Sequence, residues 1–379
     1  MKIVHWAKFY PPEWGGTELI THDEAVATAA AGHDVTVVAF TRNAARTEIE
    51  NGVNVERAKV IANIDSQPLS LRWLWLAVRS GRHADIVHIH TPNLIAAIGL
   101  LFIPSRVRIF LQWQTDLVEK GVLGALARPF ESYMVHRAER ILASSSAYAL
   151  ASPVLRRCPG KTTAVPLGIA DPALAPASET VPASIAAFVR GRPLALAVGR
   201  SVPYKGFEYL IRAAALARSD AAIVIVGTGP LDAMHAALVT ELGVGDKVLL
   251  AGRLSIEDLN ALFRAAALYV MCSVKRSEAF GLVLLEAMGH GLPTVATDIA
   301  GSGVAWVAGE GETGRIVPPR DPEALAAAID GLIGDSEACR DYGVRARQRY
   351  EEEFTREGML ETVLALYSEG HESAAVTRP

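Results

Sequence analysis

Short apolar segments alternate with helix-forming stretches along almost the whole chain. The apolar segments are rich in β-branched residues, which is typical of strands buried on both faces. They lie at residues 2–9, 34–40, 53–60, 85–90, 107–113, 140–143, 162–166, 194–198, 222–226, 247–251, 267–271, 293–296 and 315–317. Helical patterns occupy residues 18–31, 69–82, 94–102, 126–138, 146–156, 207–217, 231–242, 255–266, 279–289, 322–333, 337–353 and 356–367. This alternation predicts an α/β fold with parallel sheets covered by helices on both faces.

Length and a change in composition predict two domains. A chain of 379 residues with 50% apolar residues can bury more than one core. Residues 171–193 are rich in alanine and contain four prolines, which is typical of an interdomain linker. We therefore expect an N-terminal domain at residues 1–170 and a C-terminal domain at residues 194–355.

Charge is unevenly distributed along the chain. The net charge of −4 argues against a protein that binds nucleic acid. Residues 1–170 nevertheless carry four more basic than acidic side chains, whereas the remainder carries eight more acidic than basic ones. A basic N-terminal half points to an anionic acceptor or a membrane surface.

Cysteine spacing and hydropathy indicate the compartment. Cys158, Cys272 and Cys339 match neither a disulfide framework nor metal-ligand spacing, which suits a reducing compartment. The chain opens on a strand-like segment, so we expect no signal peptide. The longest apolar run, residues 94–103, has about half the length needed to cross a bilayer. These features predict a soluble or peripheral protein.

Residues 267–298 form the stretch with the strongest functional pattern. A strand, a polar turn, a helix predicted over 279–289 and a second strand follow one another. This order places a helix N-terminus at the carboxyl end of a parallel strand, where α/β sheets bind ligands and backbone N–H groups favour a phosphate. Glu278 and Glu286 are expected to lie about 12 Å apart along the helix axis.

The spacing of these two glutamates favours one kind of ligand. Glycosidases need paired carboxylates about 5–9.5 Å apart, so the wider spacing argues against glycoside hydrolysis. It corresponds to the length of a diphosphate with a sugar at one end and a ribose at the other. The alternative is an amphipathic helix with two solvated glutamates, which is the commoner explanation for an isolated pair.

Polar residues also follow the first two strands of the C-terminal domain. Arg200 and Lys205 come after the strand at 194–198, where two cations can converge on one phosphate pair. An isolated arginine and lysine are more often part of a solvated turn. Gly227 and Gly229 follow the next strand and belong either to the same sheet edge or to an ordinary turn.

A glycine pair follows the first strand of the chain. Gly15 and Gly16 can bring backbone N–H groups near a bound anion, although such a pair is more often a plain turn. The dinucleotide fingerprint Gly-x-Gly-x-x-Gly is missing from this loop after the first strand, which argues against a nicotinamide cofactor. The chain also contains no Asp-x-Asp motif, so we expect catalysis without a metal ion.

A family resemblance rests on the functional stretch described above. Ser277 to Gly281, Glu286-Ala287-Met288 and Gly291-Leu292-Pro293 resemble the Glu, seven residues, Glu signature of the family 4 retaining glycosyltransferases. The resemblance extends over nearly the whole chain. It implies the GT-B fold, in which two Rossmann-like domains have parallel sheets facing across a cleft. It also implies that the C-terminal helix at 356–379 packs back on the N-terminal domain.

The resemblance assigns donor-site residues. Arg200 and Lys205 would bind the donor diphosphate and stabilise the leaving group. Glu278 would approach the sugar, and Glu286 would bind the ribose hydroxyls. The other donor-binding residues that the resemblance implies are Gly15, Gly16, Gly199, Gly227, Gly229, Arg253, Ala279, Phe280, Gly281 and Leu282.

Three further residues are implied at the transferred sugar or the acceptor. These residues are Gln114, Asp116 and His90. Many relatives have a histidine where this chain has Gln114. Because glutamine cannot act as a base, an inverting mechanism with a histidine base is not expected.

Within the family, the chain most resembles bacterial GDP-mannose-dependent α-mannosyltransferases of exopolysaccharide or lipopolysaccharide assembly, on Ser277 to Gly281 and on Gly-Ser-Gly-Val at 301–304. This implies mannosyl transfer without a cofactor to a polyprenyl-diphosphate-linked oligosaccharide. The protein would be cytoplasmic and peripheral on the inner face of the cytoplasmic membrane. Alternatives are UDP-glucose, UDP-N-acetylglucosamine or dTDP-rhamnose as donor, and a non-catalytic nucleotide-sugar-binding subunit. A phosphorylase is not expected, because no pyridoxal-binding lysine context is found.

Two features have alternatives that the sequence leaves open. His88 and His90 share one face of a predicted strand and can be metal ligands, but a His-x-His pair without a nearby third ligand is more often structural. His90, at the strand end, is the better candidate for a cleft residue. The helix at 69–82 carries Trp73 and Trp75 with several arginines, and is either an interfacial membrane anchor or a domain helix with core tryptophans.

Overall fold

The chain forms two compact units. The computed structural model describes residues 1–13, 15–64, 67–116 and 121–369, and over 121–127 it describes the backbone alone. The first unit comprises the chain up to Gly168 together with the C-terminal segment from Arg356. The second unit runs from Ile169 to Thr355 and is described throughout.

The segment expected as a linker, residues 171–193, is part of the second unit. It contains the 3-10 turn Pro172–Leu174 and the helix Ala183–Val189. Asp171 accepts two hydrogen bonds of 2.7 Å from the guanidinium of Arg347, which fastens the start of the segment to the body of the unit. Its prolines and alanines therefore form packed structure rather than a free connection.

The described residues of the first unit contain an eight-stranded sheet with the order β10-β9-β8-β7-β1-β2-β4-β3. Its strands and a separate two-stranded ribbon, β5 with β6, are β1 (Lys2–Trp6), β2 (Asp34–Thr41), β3 (Arg46–Glu50), β4 (Val53–Lys59), β5 (Ala62–Ile64), β6 (Gln67–Leu69), β7 (Ile86–Thr91), β8 (Arg108–Trp113), β9 (Arg140–Ala143) and β10 (Thr162–Ala164). Neighbours in the large sheet run parallel except for β3, which is antiparallel to β4.

The second unit is built on a six-stranded, wholly parallel sheet with the order β13-β12-β11-β14-β15-β16. Its strands are β11 (Leu194–Val198), β12 (Ala222–Val226), β13 (Val248–Gly252), β14 (Leu268–Met271), β15 (Thr294–Thr297) and β16 (Gly314–Val317). The central strands are buried on both faces, so their near-continuous apolar sequences agree with their position.

Helices connect the strands in both units. They are α1 (Gly16–Ala30), α2 (Leu71–Gly81), α3 (Leu94–Leu100), α4 (Gly121–Arg137), α5 (Ser146–Ala151), α6 (Ala183–Val189), α7 (Phe207–Leu216), α8 (Asp232–Glu241), α9 (Ile256–Ala265), α10 (Leu282–Gly289), α11 (Val304–Ala308), α12 (Pro322–Gly334), α13 (Ser336–Glu353) and α14 (Arg356–Ser368). The last helix, α14, packs against α1 in the first unit. Among the helices of the described residues, none combines the length and the apolar character that a membrane span requires.

Each sheet contains a point where the direction of the strand order reverses. In the first unit it lies between β1 and β7, and in the second between β11 and β14. Loops leave these neighbouring strands in opposite directions, which opens a crevice at the carboxyl ends where ligands bind in parallel α/β sheets. The predicted α/β architecture with parallel sheets is confirmed.

One strand pair departs from the expected pattern. The strand β3 has the sequence Arg-Thr-Glu-Ile-Glu and joins β4 through Asn51 and Gly52, whose φ angles are 49° and 80°. Two consecutive left-handed residues are what a tight two-residue hairpin requires. The strand lies at the sheet edge and is mostly exposed, so its sequence lacks the apolar character used to recognise the other strands.

The start of α10 also differs from the prediction. The helix begins at Leu282 rather than at residue 279, because Gly281 has a left-handed φ of 89° and cannot continue a helix. Glu278 consequently lies in the turn before the helix. The spacing of about 12 Å, which assumed that both glutamates belong to one helix, does not apply.

Candidate functional site

A buried ion pair lies at the reversal point of the second unit. Lys205 follows β11 and Glu278 follows β14, and Lys205 Nζ lies 2.6 Å from Glu278 Oε2. The hydroxyl of Ser273 donates to the same carboxylate oxygen at 3.1 Å. Both charged side chains are about nine-tenths buried, with 10% and 12% exposed. Two residues predicted for the donor site are thus in direct contact.

Backbone contacts hold Lys205 in this position. Tyr204 accepts a hydrogen bond of 2.8 Å from the backbone of Val274, which joins the turn after β11 to the segment after β14. Gly206 ends that turn with a φ of 69°, and a Cβ there would lie 2.2 Å from the carbonyl oxygen of Cys272. Only glycine permits this approach of two backbones.

The environment keeps Lys205 positively charged. Burial lowers the pKa of the lysine, but the negative charge and the hydrogen bond of Glu278 raise it and leave the pKa above its ordinary value. An ammonium group has three N–H donors, and Glu278 takes one of them. The remaining donors can bind an anion without any change in protonation.

Glycines join the loops after β11 and β12. A Cβ on Gly227 would lie 1.9 Å from the carbonyl oxygen of Gly199, and one on Gly229 would lie 2.3 Å from that of Ser201. The backbone of Ser201 also donates to Thr228 at 3.1 Å. The predicted residues Gly199, Gly227 and Gly229 therefore lie in two loops whose backbones pack closely against each other beside the ion pair.

The two arginines predicted for this site are exposed. Arg200 is the second residue after β11, and its guanidinium lies 3.4 Å from the hydroxyl of Tyr204. Arg253 follows Gly252, whose carbonyl accepts a hydrogen bond of 2.8 Å from Gly227. Both arginines thus stand at the carboxyl edge of the sheet with guanidinium groups open to a ligand.

The turn leading into α10 is fixed by the loop before α11. Ser302 donates its hydroxyl to the carbonyl of Glu278, and the backbone of Gly303 donates to Ala279 at 2.7 Å. Phe280 is buried, with ring centroids 6.1 Å from Trp306 and 5.9 Å from Phe354. Gly281 and Leu282 complete the turn and begin the helix, whose N-terminus favours an anion.

Glu286 lies in the second turn of α10 and is partly buried. Burial raises its pKa to about 7, and the positive charge of Lys205 acts against this rise. Burial also raises the pKa of Tyr269, and the negative charges of Glu278 and Glu286 raise it further. These mutual effects show that the two glutamates, the lysine and the tyrosine share one electrostatic environment.

In the first unit, Gly15 and Gly16 lie where α1 begins, after β1. The loop between them and β1 is held by a residue that the sequence did not indicate. Arg57 on β4 is fully buried and donates to the carbonyls of Tyr10, at 3.1 Å, and Pro11. Glu50 on the polar strand β3 balances its charge at 3.0 Å. The sequence feature that could have indicated this buried arginine is the charged composition of β3, which supplies the glutamate that balances it.

The loop after β8 contains Gln114 and Asp116. Asp116 is buried and accepts hydrogen bonds from Trp113 Nε1 at 2.9 Å and Ser152 Oγ at 2.7 Å. Its backbone N–H donates to the hydroxyl of Tyr148 at 2.7 Å. The carboxylate therefore anchors the loop. Gln114 is partly buried, and no acceptor for its Nε2 occurs among the described residues.

His90 does not occupy the position expected for a cleft residue. Its side chain is fully buried, and its Nε2 lies 3.1 Å from Nδ1 of His5. His88 and Glu24 complete this buried cluster in the first unit. The sequence suggested that His88 and His90 lack a third ligand nearby, and that inference is wrong, because His5 pairs with His88 across neighbouring strands.

Comparison with known proteins identifies the family. Residues 15–168 match the family described as glycosyl transferase 4-like domain, and residues 184–349 match glycosyl transferases group 1. The O-antigen chain mannosyltransferase C of Escherichia coli is 31% identical over 97% of this chain and 98% of its own length. The chain belongs to the family 4 glycosyltransferases. The D-rhamnosyltransferase WbpZ of Pseudomonas aeruginosa is also 31% identical, over 94% of this chain and 92% of its own.

Solved structures confirm the GT-B fold of this family 4 glycosyltransferase. Sucrose-phosphate synthase from Thermosynechococcus elongatus superposes with a TM-score of 0.78 at 22% identity, covering 98% of this chain and 99% of its own. HepE of Anabaena in complex with UDP-glucose superposes with a TM-score of 0.75 at 20% identity, covering 97% and 99%. The reversal point of the second unit is therefore the carboxyl edge of a GT-B sheet.

Proposed function

We propose that this glycosyltransferase transfers α-mannose from GDP-mannose to a polyprenyl-diphosphate-linked oligosaccharide during synthesis of a bacterial surface polysaccharide. The observation that carries the proposal is the fixed contact between Lys205 and Glu278 at the reversal point of the second sheet. It places a permanent cation beside a carboxylate, which suits a ligand with a diphosphate next to a sugar.

The donor diphosphate is assigned to the cationic edge of the second unit. Lys205 supplies a buried charge, Arg200 an exposed one, and the N-terminus of α10 supplies backbone donors. Glu286 takes the ribose hydroxyls. Because these groups supply fixed positive charge where the leaving group gains negative charge, transfer proceeds without a divalent ion at the diphosphate.

The same contacts favour a retaining reaction without a covalent glycosyl-enzyme. One oxygen of Glu278 already receives Lys205 and Ser273, so its charge is compensated and it is a poor nucleophile. We assign Glu278 to the hydroxyls of the transferred sugar. The leaving diphosphate takes the proton of the attacking acceptor hydroxyl on the face from which it departs. Retention follows, because the new bond forms on the side of the broken one.

The choice of mannose is supported by one relative that matches nearly the whole chain and by another that matches part of it. The O-antigen chain mannosyltransferase C matches over nearly the full chain. A GDP-mannose-dependent phosphatidylinositol monomannoside mannosyltransferase of Mycolicibacterium smegmatis is 32% identical over 41% of this chain. The D-rhamnosyltransferase relative supports a 6-deoxyhexose donor as the second candidate.

A donor panel tests the proposed function. Purified protein is incubated with GDP-mannose, UDP-glucose, UDP-N-acetylglucosamine or dTDP-rhamnose and a lipid-linked oligosaccharide, with and without added Mg²⁺ or Mn²⁺. We expect nucleotide release and glycolipid extension to be fastest with GDP-mannose and unchanged by the added metals. Faster turnover of another donor overturns the mannose assignment, and a requirement for added metal overturns the proposed role of the protein cations.

A basic surface on the first unit fits a membrane-bound acceptor. Trp73 is fully buried in the core, whereas Trp75 is 58% exposed and stacks with the guanidinium of Arg79 at 4.8 Å. Arg82 and Arg106 line the same shallow groove. An exposed tryptophan among arginines suits the headgroup region of anionic lipid. We assign this surface to peripheral contact with the cytoplasmic membrane.

Vesicle binding tests the basic surface. We expect the double variant Arg82→Gln/Arg106→Gln to bind anionic vesicles about 30-fold more weakly, because each arginine near such a surface contributes about 1 kcal/mol. Co-sedimentation with phosphatidylglycerol and phosphatidylcholine vesicles measures the effect. Arg157→Gln, an exposed arginine of the same unit, is the control and should bind like the unmodified protein. Equal binding by both variants would refute this membrane contact.

A further inference from the structure

Four potential metal ligands converge inside the first unit. His5 lies on β1, His88 and His90 lie on β7, and Glu24 lies on α1, and all four side chains are fully buried. The strands are neighbours, and His5 pairs with His88 in register. Because side chains alternate along a strand, all three imidazoles lie on the same face of the sheet, beneath α1.

The separations within this cluster are close to those of a metal site. His5 Nδ1 lies 3.1 Å from His90 Nε2, and Glu24 Oε2 lies 3.5 Å from His88 Nδ1 and 3.8 Å from His90 Nε2. All ligand atoms lie within 4.8 Å of one another. Tetrahedral zinc, with bonds of about 2.0–2.1 Å, holds its ligand atoms about 3.3–3.4 Å apart. Side-chain rotations must therefore bring the wider pairs together when the ion binds.

Several buried polar atoms of the cluster have no hydrogen-bond partner among the described residues. Neither carboxylate oxygen of Glu24 has a hydrogen-bond partner within the described residues, and the same holds for Nε2 of His5 and of His88 and for Nδ1 of His90. A buried carboxylate without donors is costly, and buried polar groups are rarely left unpaired. A divalent cation bound between Glu24 Oε2 and the two nitrogens that face it, His88 Nδ1 and His90 Nε2, would neutralise this carboxylate.

We propose that His5, Glu24, His88 and His90 bind one Zn²⁺ ion in a closed structural site. Three imidazoles and one carboxylate suit zinc, and four protein ligands without solvent access are typical of structural rather than catalytic zinc. The ion would fasten β1, α1 and β7 together. Binding through His88 Nδ1 would displace the hydroxyl of Tyr367 on α14, which lies 2.5 Å from that nitrogen. The donor site belongs to the second unit, so this inference is independent of the proposed function.

Metal content and spectroscopy test the site. The full-length protein is produced in medium supplemented with zinc, passed over a chelating resin and analysed for metal. A parallel preparation from cobalt-supplemented medium is examined by visible absorption. We expect one zinc ion per chain, and intense absorption bands of tetrahedral Co²⁺ in the cobalt form. A protein without zinc and without these bands would show that the cluster is an ordinary buried polar network, and would overturn the proposal.

Matched variants locate the ion. Glu24→Gln and His5→Gln should each lose the zinc and the cobalt spectrum, whereas His83→Gln, an exposed histidine of the same unit, should retain both. Zinc retained by Glu24→Gln and His5→Gln would place the ion elsewhere and would equally overturn the proposal. If either variant fails to fold, the metal content and cobalt spectrum of the unmodified protein and of His83→Gln still decide the question.

Discussion

Lys205→Met should slow glycosyl transfer by about 10²–10³-fold at saturating donor, with a smaller change in KM. The lysine is held beside Glu278 before any ligand arrives, so its charge is in place when the diphosphate leaves. Removing one preorganised group of this kind costs about 2.7–4 kcal/mol of transition-state stabilisation. Initial rates of nucleotide release, corrected for folded protein, measure the effect. Lys247→Met, a partly buried lysine that precedes β13, should keep its rate.

The same substitution also affects stability, and a second variant separates the two effects. Lys205→Met leaves the buried carboxylate of Glu278 without its cation, which should cost about 3–5 kcal/mol in the free energy of unfolding. The double variant Lys205→Met/Glu278→Gln removes the unpaired charge and should recover most of this loss. Its rate should stay low, because the leaving group still lacks the lysine and the transferred sugar now lacks the carboxylate of Glu278. Recovery of the rate together with stability, measured by urea unfolding, would show that Lys205 acts only on folding.

The contact between Lys205 and Glu278 shows where sequence-based prediction stops. Both residues could be placed at strand ends, because short apolar runs and the helical patterns between them locate the carboxyl edge of a parallel sheet. Their direct contact depends on strand order, since β11 lies next to β14 although β12 and β13 intervene in the chain. The family resemblance implied that both residues belong to the donor site, with Lys205 at the diphosphate and Glu278 at the sugar. It did not imply that one neutralises the other.

Register and backbone conformation account for the other differences. Whether His5 faces His88 is decided by the pairing of β1 with β7, and no local pattern in either strand contains that information. The start of α10 depends on the left-handed φ of Gly281, whereas helix propensity alone extends the helix to residue 279. The positions of buried polar side chains were least predictable. The sequence alone does not show whether an isolated histidine or aspartate is buried in the core or binds a ligand.

Gly206→Ala should destabilise the second unit by about 4 kcal/mol or more and slow the remaining folded enzyme by about 10²-fold. Two effects contribute: a side chain at a φ of 69° costs about 1–2 kcal/mol, and the new Cβ would lie 2.2 Å from the carbonyl oxygen of Cys272. Relief of this clash must move the turn that carries Lys205, and a displacement of about 1 Å at a catalytic group can cost 10²-fold in rate. Urea unfolding and initial rates measure both effects.

Gly243→Ala isolates the steric part of this prediction. Gly243 has a φ of 64°, almost the same as that of Gly206, but a Cβ there would meet no atom within 4 Å. The variant should therefore lose only the conformational term of about 1–2 kcal/mol and keep its full rate. If the two alanine variants proved equally stable and equally active, the segment after β14 would have to yield without displacing Lys205. The close approach at Cys272 would then have no part in positioning the lysine, and the rigidity assigned to this edge of the sheet would be wrong.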